Sequence, residues 1–134
     1  MKGTITQVIG SVVDIYFDDG VPDIFSALRV KINDKEVILE VAQHLGLGVA
    51  RAVSMSSTDG LQRGVIVESL GKPISVPVGK EVLGRMFDVV GNTIDGKGEV
   101  GGGKYYAIHR ESPPLSEQNT KSEILETGIK VIDL

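Results

Sequence analysis

The residues that most invite a chemical reading are DGKGEVGGGK, 95–104, because they satisfy two phosphate-loop patterns at once. Gly96-Lys97-Gly98-Glu99-Val100-Gly101 fits G-x-G-x-x-G, and Gly98 through Gly103-Lys104 fits G-x-x-x-x-G-K. A working phosphate loop uses glycines to let backbone amides approach the phosphates, and a helix N-terminus to face their charge. Here Tyr105-Tyr106 stands where a Ser or Thr should hold magnesium, and AIHRESPP runs on into two prolines. Position 121, where a ribose-binding acid would fall about 20 residues on, is Lys. Gly98, Gly103 and Lys104 are therefore weak cofactor-binding candidates, and a flexible hairpin tip is the better reading of the loop.

Other chemistry is sparse. His44 and His109 are far apart and show no H-x-x-x-H or H-E-x-x-H spacing, so each reads as a surface or strand-end residue. Arg63 and Arg85 could meet phosphate or a partner, although a solvated or ion-paired strand-end arginine accounts for both. Asp18-Asp19 sits in a turn, where Asp is favoured for backbone reasons. No nucleophile–base pair can be derived from spacing. The expected sites are thus: catalytic, none; metal, none.

The elements that would carry these residues are mostly short strands. Thr4–Ile9 and Val12–Phe17 flank Gly10-Ser11, with Val13, Ile15 and Phe17 alternating against Asp14 and Tyr16. Leu28–Ile32 and Glu36–Val41 flank Asn33-Asp34-Lys35, the best hairpin signal in the chain. Val49–Met55 and Val65–Val67 complete five or six strands without a long helix, which predicts a small antiparallel barrel or sandwich. Closure would remove exposed sheet edges. Beyond Gly71-Lys72-Pro73 the pattern changes. Ile74–Val78 reads as an edge strand or linker, Met86–Val90 as a short apolar run, and Glu111–Asn119 as an extended surface segment. Thr127 is expected to N-cap a helix that buries Ile129 and Ile132. Residues 73–134 hold too few apolar runs to close a core alone.

Composition narrows the function classes. The 134 residues are 41% apolar and 24% charged, an ordinary globular balance, while only 4% are aromatic, so Val, Ile and Leu must fill the core. A net charge of −4 gives no basic footprint for nucleic acid, and few aromatics are available to stack bases. With no Cys there is no disulfide and no thiolate metal site. No secretion or transit signal is visible at MKGTITQVIG, and no run reaches the roughly 18 apolar residues of a membrane helix. Any membrane contact is expected to pass through partners.

Six colinear stretches resemble one family: ITQVIGSVVDIYF, VPDIFSALRV, LEVAQHLGLGVARAVSMSSTDGLQRG, ISVPVGKEVLGRMFDVVGNTID, YAIHRESPP and ILETGIKVIDL. Together they are similar to the N-terminal part of F-type ATP synthase beta subunits, from about residue 3 to residue 134. SSTDGLQRG and LGRMFDVVGNTID favour beta over the related alpha subunit; GGGKYY is more glycine-rich than the family pattern. Flagellar-export and vacuolar rotary ATPases share the barrel.

The resemblance implies a fold that is mainly β. A six-stranded antiparallel β-barrel (the crown domain) would occupy 1–72, and 73–134 would be a linker and the truncated opening of an α/β P-loop nucleotide-binding domain. It also implies alpha-subunit partners in an alternating ring, and through them the central stalk and membrane sector. Localisation would be peripheral, at the cytoplasmic face of a bacterial inner membrane or its organelle equivalent. Mg-ATP or Mg-ADP belongs to the parent subunit, which makes ATP from a proton gradient. Its P-loop lysine, catalytic glutamate and adenine pocket match nothing here, so the chain reads as a fragment without its own cofactor or activity. The alternative is a stand-alone phosphate- or nucleotide-binding module using the Gly98–Lys104 loop.

Overall fold

The computed structural model describes residues 1–32 and 35–134. Six strands close into an antiparallel barrel: β1 Lys2–Ile9, β2 Val12–Phe17, β3 Ser26–Ile32, β4 Lys35–Gly46, β5 Val49–Ser54 and β6 Ile66–Pro73. Their order around the barrel is β1-β2-β5-β4-β3-β6, with β6 pairing back onto β1. The barrel-or-sandwich ambiguity is thereby resolved in favour of closure, and neither edge is left unpaired. The β2–β3 and β5–β6 connections join strands that are not neighbours, so each must cross an end of the barrel.

Period-two patterning explains the core. Val13, Ile15 and Phe17 of β2, Leu28 and Val30 of β3, and Leu39 and Val41 of β4 are all essentially inaccessible to solvent. Ala50 and Ala52 face Ile15 and Val13 across the β2–β5 ladder, so small buried residues stand against large ones. Burying each large aliphatic or aromatic side chain contributes about 1.5–3 kcal/mol. Gly3 on β1 is the tightest position. A Cβ there would stand 2.7 Å from the Phe17 ring and 2.8 Å from Ile15 Cγ2.

Several boundaries differ from expectation. β4 extends to Gly46 because two register shifts, at Val41/Gln43 and His44/Gly46, let it follow β5 around a bend. β6 runs on to Pro73, well past Val67. Its later residues, ESLGKP, lack alternation; they are strand because Ser69 pairs with Leu28 and Pro73 with Ser26. The β3 and β4 strands pair as a hairpin, Ile32 opposite Lys35, while the expected tip residues Asn33 and Asp34 lie outside the described residues.

After the barrel the chain forms β7, Ser75–Val78, and β8, Lys104–Ala107, an isolated antiparallel pair. Pro77 sits in this edge ladder, where a missing amide is tolerated. A helical turn covers Leu115–Glu117 in the otherwise extended 111–119 segment. The closing helix, α1, is a single turn, Lys130–Asp133, and it starts later than expected, after Ile129 and not after Thr127. The reason is a competing turn. Asp133 folds back to accept hydrogen bonds from Thr127 N and Oγ1 and from Gly128 N, while Thr127 Oγ1 accepts from Ile129 N. Ile129 and Ile132, expected to be buried, are exposed.

Candidate functional site

The glycine loop forms part of the long connection between β7 and β8. Arg85 is the anchor: its Nε donates to Asp95 Oδ2 at 2.6 Å, and one Nη donates both to Asp95 Oδ1 at 3.1 Å and to the Gly98 carbonyl. Asp95 also accepts from the backbone amides of Met86 and Lys97. The Arg85 hydrogen bonds, with those amides, hold its carboxyl well below the usual carboxylate range. The Arg85 cation is thus spent on its own loop. A second turn is built the same way: Asp88 accepts from Val90 N, Asn92 N and Asn92 Nδ2. Burial pushes the Asp88 carboxyl upward, but these hydrogen bonds outweigh it and the net shift is down.

Lys104 is exposed and opens β8, where it pairs with Val78. A strand thus follows the glycines at the point where a phosphate loop needs a helix N-terminus. Gly98 presents its carbonyl to Arg85, and Gly103 leads directly into the strand. Gly98 and Gly103 thus lie in the connection that leads into β8, and Lys104 takes the strand's first ladder position. Among the described residues no group of three or more His, Cys, Asp or Glu is placed to hold a metal ion.

The remaining candidates are dispersed. Arg63 is exposed in the loop before β6. Near the end of β4, His44 places Nε2 2.7 Å from the Pro22 carbonyl. His109, just past β8, lies with Nε2 3.1 Å from both carboxylate oxygens of Glu40 on β4, and its ring stacks on Phe25.

Sequence reasoning missed the ion pairs that belt the barrel. Asp14 and Arg51 are direct partners in the β2–β5 register, and Arg29 and Glu68 in the β3–β6 register, where Nη2 meets Oε2 at 2.7 Å. In each pair the guanidinium hydrogen bond draws the carboxyl down. Only the strand register could have revealed them, because their members lie 37 and 39 residues apart. Every acid in this set already has a fixed cationic partner. The arrangement is suited to holding a surface, not to moving protons.

That surface has an apolar part. Across β2, β1 and β6, Tyr16 and Ile66 pair with Thr4 from either side, and both stand exposed at 40% and 55%. Residues 5–71, the barrel and half of the chain, match the family model described as ATP synthase alpha/beta family, beta-barrel domain. The chain belongs to the ATP synthase alpha/beta family. Its closed six-stranded barrel is the family's barrel, and membership gives it the role of an alpha/beta-type ATP synthase subunit acting within an oligomeric complex. Among the described residues of this family member, no helix is long and apolar enough to cross a membrane.

Proposed function

We propose that this chain is the crown-forming N-terminal part of a beta-type subunit, whose barrel stands beside alpha-type barrels in an alternating ring. The observation that carries this reading is the exposed Tyr16–Thr4–Ile66 row on a barrel that belongs to the family. A closed barrel has no free edge to add strands to, so its contacts with neighbours must be made by side chains on its outer wall. The beta assignment is supported by SSTDGLQRG and LGRMFDVVGNTID. The first forms the turn entering the β5–β6 connection; the second builds the Asp88 and Asp95 turns.

On this reading residues 1–72 are the assembly domain, and 73–134 lead towards a nucleotide-binding domain that lies further along the parent subunit. The parent would bind Mg-ATP or Mg-ADP and couple it to proton flow through the central stalk and membrane sector. It would sit peripherally at the cytoplasmic face of a bacterial inner membrane or its organelle equivalent. The present residues would supply assembly and no chemistry.

The test is association with an alpha-type barrel, followed by analytical ultracentrifugation of the mixed chains at high concentration. A hetero-complex that Ile66→Glu weakens supports the reading. Two species sedimenting independently at every concentration would remove its main support.

A further inference from the structure

We propose that Phe25, His109 and Glu40 form a latch that fixes the barrel to the strand pair β7–β8 and so sets how the barrel carries the chain beyond it. The inference does not depend on the alpha or beta identity of the subunit. Phe25 adopts φ +69°, a left-handed conformation that is strained for a bulky side chain and that glycine would adopt freely. Strain of this kind persists only where surrounding contacts enforce it.

Contacts on both sides of Phe25 enforce it. The Phe25 amide donates to the Val41 carbonyl at 2.8 Å, which ties the residue to β4. Its half-exposed ring stacks on His109, centroids 3.9 Å apart and planes 21° from parallel. On the same strand Glu40, whose side chain is only 14% exposed, accepts from His109 Nε2. Two consecutive β4 residues therefore hold the two members of the stack.

The topology explains why they meet. Ser26 pairs with Pro73 at the end of the β3–β6 ladder, and the Ile108 amide donates to the Ile74 carbonyl at the end of β7–β8. Phe25 and His109 are each one residue beyond these paired positions. Glu40 stands opposite Ala27, two residues on from Phe25. Among the described residues no other hydrogen bond joins the stretch after β8 to the barrel, and residues 111–134 are all exposed. His109 is the last point at which the chain is fastened.

The experiment uses the whole chain and follows amide exchange at Tyr106 and Ile108 and the rate of tryptic cleavage after Arg110. His109→Ala should raise both by about tenfold, the effect of losing a charge-assisted hydrogen bond with its stack. The exchange of barrel core amides should not change. Phe25→Gly is the second arm. It relieves the strained φ, so the barrel's unfolding midpoint should hold or rise, yet the 105–110 region should open as in His109→Ala. Glu40→Gln keeps an acceptor and should retain most of the protection. Unchanged exchange and cleavage in His109→Ala would overturn the latch. So would a Phe25→Gly chain that alters only barrel stability, since Phe25 would then serve its turn alone.

Discussion

Arg51 closes on Asp14 across the β2–β5 ladder with two parallel hydrogen bonds, Nε to Oδ1 at 2.8 Å and an Nη to Oδ2 at 2.9 Å. The pair lies on the outer wall of the barrel, yet Asp14 is only 8% exposed because the guanidinium covers it. Such fork-to-fork geometry fixes orientation as well as adding attraction. It pins the register of two strands that are distant in sequence.

Asp14→Asn should therefore lower the melting temperature at neutral pH while leaving the fold intact. The Arg51 hydrogen bond depresses the Asp14 carboxyl below its ordinary value of 3.8, more than burial raises it. A depressed carboxyl stabilises the folded state above its unfolded value, and that contribution is lost as pH falls through the folded one. The gap between the native chain and Asp14→Asn should accordingly be constant above about pH 5 and narrow as pH falls below the ordinary carboxylate value through the depressed one. Thermal melts by circular dichroism across that range check it. A gap that widened with acid would show that Asp14 does not act through its charge.

Gly3→Ala should destabilise the barrel by about 1–3 kcal/mol, the usual effect of overpacking a close-packed site. The added methyl would enter space held by the Phe17 ring, whose Cε1 stands 2.7 Å from the new Cβ, and by Ile15. Neither neighbour can yield easily, since Phe17 and Ile15 are both buried. Urea unfolding gives the comparison. An unchanged midpoint would mean that the β1–β2 contact has slack that the distances do not show.

The barrel can be read from the sequence wherever apolar and polar residues alternate. The bounds Val12–Phe17 follow from the letters because Val13, Ile15 and Phe17 are apolar and buried while Asp14 and Tyr16 between them are polar and lie on the outer wall. The end of β6 was not visible, because Glu68–Pro73 becomes strand through partners on β1 and β3 and carries no pattern of its own. The ion pairs were hidden for the same reason. Asp14 on its strand looks like any outward polar residue until register places Arg51 opposite it. The glycine loop illustrates the reverse failing. Two motifs were present in the letters, but a phosphate loop is defined by the helix that follows, and here Lys104 enters a strand. Thr127 had the right chemistry for a cap, yet Asp133 offered its amide a better acceptor and the helix began later.

Lys104→Ala should leave the response of this chain to nucleotide unaltered. Lys104 pairs with Val78 in β8, and Gly98 turns a carbonyl, not an amide, towards the nearest cation. Calorimetric titration with Mg-ATP is expected to give no saturable heat for either the native chain or the variant. Micromolar binding that Lys104→Ala abolished would restore the stand-alone phosphate-binding module as the better reading.

Asp95→Ala should loosen the 85–98 loop without touching the barrel. Asp95 gathers Arg85 and the amides of Met86 and Lys97 into one node, and its side chain is only 5% exposed. Removing it leaves the Arg85 guanidinium with the Gly98 carbonyl as its remaining partner in the node. Amide exchange at Met86 and Lys97 should rise by about tenfold or more, in line with the loss of charge-assisted hydrogen bonds. The amides of Phe17 and Val41 should keep native protection. The pH dependence separates this node from the Asp14 pair. Hydrogen bonds hold the Asp95 carboxyl far below the ordinary range, so its contribution is lost only as pH falls through that depressed value. In the native chain at about pH 3, exchange at Lys97, corrected for its intrinsic rate, should remain slow. If Lys97 loses protection near pH 4, the carboxyl is titrating normally and the node is not closed in solution.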